Sequence, residues 1–108
     1  MKILIVDDKA SIRLEMKRIL NHFGFNDITQ AVDGEDAWYK INAAFQKEKT
    51  QAFDLIVSDM EMPRMSGLEL LREIRNSSDI NNTPFIMATT VTAKQIILET
   101  MRLGIQAY

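Results

Sequence analysis

Residues 54–71 read DLIVSDMEMPRMSGLELL, and this stretch decides the fold. Asp54 opens a strand over 54–58 in which Leu55, Ile56 and Val57 form a continuous apolar run, the pattern of a strand buried on both faces. Asp59 stands at the carboxyl end of that run. Ser66 then offers a helix N-cap, with Glu69 three residues later as its capping-box partner, and residues 66–76 read as a helix. Met62 and Pro63 fall in the loop between.

Outward from this unit the same alternation continues. Residues 3–6 (ILIV) form a second buried strand, followed at once by Asp7 and Asp8. Over residues 10–23, Ile12, Met16, Ile19, Leu20 and Phe23 fall on one helical stripe, and Gly24 supplies a stop. Residues 28–32 make a shorter, less apolar strand suited to a sheet edge, with Asp33-Gly34 as the turn after it. A second helix fits 35–49, with Ala37, Ile41, Ala44 and Phe45 inward and Trp38 off the stripe as a partly exposed packing residue. Beyond the central unit, Asn81-Asn82-Thr83-Pro84 is a turn and 85–88 a fourth buried strand. A fourth helix is expected from Thr92 to about Leu103, closed by Gly104, and residues 105–108 begin a fifth strand. Strand-helix alternation calls for a parallel sheet with right-handed crossovers and helices on both faces. One α/β domain over residues 1–108 is expected.

Composition narrows the function. A net charge of −2, without a basic run, argues against nucleic-acid binding. The absence of cysteine rules out disulfides and thiolate metal sites. Every apolar segment is too short to span a bilayer, so no membrane association and a cytoplasmic location are expected. The sole histidine, His22, falls late in the first helix and reads as a surface or helix-end residue.

In open parallel sheets, ligands bind at the carboxyl ends of the strands. Here those ends carry Asp7-Asp8, Asp59 and Thr89-Thr90. Three carboxylates together repel one another unless a cation or a raised pKa relieves them. Oxygen donors with no His or Cys nearby favour a hard ion, Mg²⁺ or Mn²⁺. An Asp beside such an ion can act as a nucleophile toward phosphorus, with the Thr89 hydroxyl one strand away as a hydrogen-bond donor. Taken singly, each residue also has a plainer reading. Asp8 can cap the helix near Ala10, and Thr89 and Thr90 can be simple strand-end residues.

MKILIVDD, DLIVSDMEMPRMSGLELL, TPFIMATT and LGIQAY, in this order and spacing, resemble the receiver domains of two-component response regulators. The likeness covers the whole chain, and the Asp-x-x-Met-Pro-x-x-x-Gly stretch from Asp59 to Gly67 is its most specific piece. It implies a flavodoxin-like sheet of strand order 2-1-3-4-5. It further implies that Asp59 accepts a phosphoryl group from a histidine kinase or phosphotransfer protein, and that Asp8 and Asp59 bind Mg²⁺ directly. Asp7 would assist, and the backbone carbonyl of Glu61 would be the third protein ligand. Met62 and Pro63 would shape the loop, and Gly67 would let the chain turn into the third helix. Thr89 would hydrogen-bond the phosphoryl group, and Tyr108 would be the aromatic whose rotamer follows Thr89. Output would run through protein contacts of the fourth helix and last strand, to an effector or partner that the sequence does not name.

The chain departs from the family in two places. Thr90 stands where a very small residue is usual, and its bulk is expected to narrow access to Asp59. The sequence also ends at Tyr108, before the family's Lys-Pro pair and fifth helix. The fifth strand is therefore expected to be incomplete, as in a fragment of a longer protein; a naturally shortened receiver would instead leave the fourth strand exposed and inviting a partner, a dimer or a domain swap. Lys9 and Lys94 lie near in sequence, but neither falls at the position of the missing lysine. The alternative function is a receiver-like docking module that works without phosphorylation. A hydrolase of the haloacid dehalogenase type would want a second Asp where Glu61 stands, and no P-loop or dinucleotide fingerprint appears.

Overall fold

The computed structural model describes residues 1–48, 53–78, 80 and 82–87. Strands and helices alternate as β1 (Lys2–Val6), α1 (Ala10–His22), β2 (Asp27–Ala31), α2 (Gly34–Glu48), β3 (Leu55–Ser58), α3 (Gly67–Asn76) and β4 (Phe85–Met87). All three strand pairings are parallel, and the order is β2-β1-β3-β4. This is the flavodoxin-like order expected from the sequence, as far as its fourth strand. The fourth helix and fifth strand read from the sequence lie outside the described residues, as do Thr89, Thr90 and Tyr108.

Side chains of β1 divide by alternation. Ile3 and Ile5 join Leu55, Val57 and Ile86 on one face, covered by Met16 and Leu20 of α1. Leu4 and Val6 join Ile56 on the other, beneath Ala37 and Ile41 of α2 and Leu70 and Ile74 of α3. Burial on both faces is why the runs ILIV and LIV lack polar residues. Each such side chain contributes about 1.5–3 kcal/mol on burial, enough for these runs to fix the strand register. Trp38 is half-buried and packs against the second of these clusters, as its place off the stripe implies.

Element ends differ slightly from the sequence reading, for local reasons. β2 runs one residue earlier than expected. Its ladder ends where Ala31 pairs with Val6, and the Val32 N–H turns away to the Asp36 carboxylate at 3.0 Å. Val32 is consequently exposed, while the edge position expected of this strand holds. α2 starts at Gly34 because Asp33 caps it: its carbonyl accepts from the Ala37 N–H at 3.0 Å and its carboxylate from the Asp36 N–H at 2.8 Å. Asp54 stays out of β3, and its carboxylate accepts from the Lys2 N–H at 2.7 Å. α1 closes at His22, which is exposed; Gly24 follows at φ +92°, and the Phe25 N–H returns to the Leu20 carbonyl at 2.9 Å. The capping box of α3 forms as read, with Glu69 N–H to Ser66 Oγ at 3.1 Å and Ser66 N–H to Glu69 Oε1 at 3.3 Å.

Candidate functional site

Val6 of β1 and Ser58 of β3 are the last paired residues of two adjacent parallel strands. One residue further on, the Asp59 N–H donates to the Val6 carbonyl at 2.9 Å, and the Asp7 N–H to the Ala31 carbonyl at 3.2 Å. The backbone ladder thus continues past the strand ends and holds Asp7 and Asp59 side by side. Asp8 follows directly. One carboxylate oxygen from each of Asp7, Asp8 and Asp59 lies within 4.8 Å of the others. Asp7 and Asp59 are buried and Asp8 faces solvent, so the cluster opens outward on one side. Asp8 does not cap α1: the N-cap residue is Lys9, which makes no side-chain capping bond.

Several contacts fix the orientation of these carboxylates. Asp59 Oδ1 accepts from the Met60 N–H at 2.8 Å, and Asp7 Oδ1 from the Lys9 N–H at 2.9 Å. Arg13 Nη1 donates to the Asp7 carbonyl at 2.7 Å, while its Nε reaches Gln30 Oε1 at 3.2 Å. Arg13 therefore ties the β1–α1 turn to β2. Its role was not read from the sequence, where it appears only as a polar residue beside an apolar stripe.

Lys9 bends back over the cluster. Its Nζ lies 3.2 Å from Asp8 Oδ1, 3.7 Å from Asp59 Oδ2 and 4.0 Å from Asp7 Oδ1. The hydrogen bond to Asp8, then the charge of Asp7, holds this ammonium above the ordinary lysine value, so it is a full positive charge at neutral pH. The sequence placed Lys9 near the cluster only by proximity in the chain.

The loop after Asp59 is pinned at two points. At the first, the Gly67 N–H donates to the Met60 carbonyl at 2.9 Å, and a β-carbon on Gly67 would collide with the Asp59 carbonyl and meet Met87 Sδ at 3.1 Å. Gly67 has no positive φ, so the close approach to the Asp59 carbonyl is what requires glycine where the chain turns into α3. The left-handed residue of this loop is Arg64, at φ +66°. At the second point, Arg64 Nε donates to the buried Asp33 Oδ2 at 2.7 Å, and the Gly34 N–H donates to the Met65 carbonyl at 3.1 Å. Met62 is half-buried against the core, while Pro63 and Glu61 are exposed.

The donor set fits a hard divalent cation. It consists only of carboxylate oxygens, two of them on buried residues, and a positive group is already drawn among them. Among the described residues no helix is long and apolar enough to cross a membrane.

The sheet has the flavodoxin-like strand order, and three carboxylates gather at the ends of its two central strands. The chain belongs to the response regulator receiver domain family, which it matches over residues 3–108. It is 32% identical over 108 residues to the chemotaxis protein CheY1 of Helicobacter pylori, covering 100% of this chain and 82% of that protein. It is 35% identical to the chemotaxis protein CheY-3 of Vibrio cholerae, covering 100% of this chain and 78% of that one. The solved chemotaxis response regulator CheY4 of Vibrio cholerae shares the fold with a TM-score of 0.68 at 33% identity, over 91% of this chain and 78% of its own. Receiver domains are signalling domains that interact with histidine kinases or phosphotransfer proteins, and this chain is such a domain with an acidic cluster.

Proposed function

We propose that residues 1–108 act as a Mg²⁺-dependent phosphorylation switch whose acceptor is Asp59. One observation carries the reading: Asp7, Asp8 and Asp59 bring carboxylate oxygens within 4.8 Å of one another at the edge of a receiver fold. Asp8 and Asp59 would hold the cation, with Asp7 in support and the Glu61 backbone carbonyl as a further donor. Bound there, Mg²⁺ (or Mn²⁺) supplies charge compensation between two anionic reactants.

An Asp59 carboxylate oxygen attacks the phosphorus of a phosphohistidine on the kinase or phosphotransfer protein. The P–N bond breaks, the imidazole leaves and takes up a proton, and an acyl phosphate forms on Asp59. Water later attacks the phosphorus, the bond from phosphorus to the Asp59 oxygen breaks, inorganic phosphate leaves and the carboxylate is restored. The domain thus promotes its own phosphorylation and dephosphorylation and turns over no external metabolite. The Met60 N–H bond to the Asp59 carboxylate and the Asp59 N–H bond to the Val6 carbonyl support this role by holding Asp59 fixed before the reaction begins.

Thr89 would hydrogen-bond the new phosphoryl group, Thr90 would set access to it, and Tyr108 would follow Thr89 as the second half of the switch. A phosphoryl group that recruits Thr89 supplies the two-state element that protein partners read. The cytoplasm, where kinase and switch meet, is the location this reading requires.

Intact mass after incubation with Mg²⁺ and acetyl phosphate tests the proposal. A single phosphoryl adduct is expected, absent with Asp59→Asn and absent without metal. An adduct that persists in Asp59→Asn would overturn the assignment. Partner binding that is unchanged by Asp59→Asn would favour a docking module instead.

A further inference from the structure

Lys9 is placed unusually for a surface lysine. It occupies the N-cap position of α1 in an extended conformation (φ −100°, ψ 116°), with its own N–H bonded to Asp7 Oδ1 at 2.9 Å. That bond fixes the backbone from which the side chain returns to the cluster. Its ammonium then sits 3.2, 3.7 and 4.0 Å from oxygens of Asp8, Asp59 and Asp7. These are the same three carboxylates whose oxygens converge within 4.8 Å.

We propose that Lys9 is a tethered counter-ion that occupies the mouth of the carboxylate cluster and competes with the divalent cation for it. The inference rests on the metal-site reading above and goes beyond it, because it assigns a role to a residue outside the donor set. Two physical arguments support it. Three carboxylates held this close need compensating charge, and the lysine supplies it without a metal. The Lys9 side chain is 59% exposed, so its ion pairs are solvent-screened and displaceable, and the side chain can swing out when a doubly charged ion arrives. Metal binding must then displace one positive charge, and the displaced ammonium still faces the bound ion. Both effects lower metal affinity.

Removing the charge therefore gives two opposite changes. In Lys9→Met, which keeps an unbranched stem, Mg²⁺ titrated calorimetrically into the chain binds roughly three- to tenfold more tightly than in the wild type. The same variant melts at a lower temperature in EDTA, because the carboxylates have lost their counter-charge. Loss of a merely structural lysine would weaken both properties. Lys9→Arg, which keeps the charge, stays close to wild type in both. Lys47→Met removes one exposed charge next to Glu48, which pairs with Lys2 at the other end of β1 from Asp7, and leaves Mg²⁺ affinity within about twofold.

Unchanged or weaker Mg²⁺ binding in Lys9→Met overturns the proposal, and so does equal tightening in Lys47→Met. Asp8→Asn separates this inference from the reading beneath it. It should weaken Mg²⁺ binding more than tenfold with either lysine or methionine at position 9. If Asp8→Asn leaves binding intact, the metal site itself has been misassigned.

Discussion

The carbonyl oxygen of Asp59 lies within collision distance of where a β-carbon on Gly67 would stand, so the Asp59 backbone packs against the first residue of α3. The loop of residues 60–66 closes on itself at this contact, and the Gly67 N–H to Met60 carbonyl bond seals it. The position of Asp59 therefore depends on there being no side chain eight residues downstream.

Gly67→Ala forces that backbone apart. Overpacking of this kind costs about 1–3 kcal/mol, and here the displaced group is the peptide that carries Asp59. Urea denaturation should show the loss, and calorimetric titration should show weaker Mg²⁺ binding. Stability and affinity both equal to wild type would mean that the loop relaxes freely.

A second pin is Asp33, which caps α2 and accepts from Arg64 in the loop after β3. Asp33→Ala removes the cap and leaves the loop without its anchor. The cap alone accounts for about 0.5–2 kcal/mol. Arg64→Ala keeps the cap and should cost less, with its effect concentrated on the loop. Equilibrium unfolding of the two variants ranks them, and an Arg64→Ala as damaging as Asp33→Ala would contradict this division of roles.

Acid should destabilise the domain partly through Asp36. Burial pushes its carboxyl up, but the Val32 N–H and the Lys40 ammonium outweigh burial and hold it below the ordinary 3.8. A carboxylate with a depressed folded-state value stabilises fully above its unfolded value and loses that contribution as pH falls through the folded value. Asp36→Asn should therefore lower the melting temperature at pH 7 more than at pH 3. The same difference at both pH values would exclude the linkage.

Much of this architecture was legible in the sequence because burial on two faces leaves an unbroken signature. ILIV and LIV mark β1 and β3, and parallel alternation puts Asp7-Asp8 and Asp59 at one edge before any coordinate is known. Ser66 and Glu69 announced their capping box through spacing alone. The contacts that orient the site were not legible. Arg64 meets Asp33 across 31 positions, and Arg13 reaches both Asp7 and Gln30, through flexible side chains that follow no period. Nearness in the chain alone does not reveal Lys9, since only the extended backbone at the α1 N-cap turns its side chain back over the cluster. The end of β2 shifted because Val32 N–H prefers the Asp36 carboxylate to the ladder, a competition invisible to β propensity.

The central claim is that Asp59 carries the phosphoryl group. Borohydride reduction of the acetyl phosphate-treated protein converts an aspartyl phosphate to homoserine, and peptide mass mapping locates it. Homoserine at position 59, formed only when Mg²⁺ is present, is the expected result. Homoserine at Asp7 or Asp8 instead, or at no position although a phosphoryl adduct is detected by intact mass, would contradict the account.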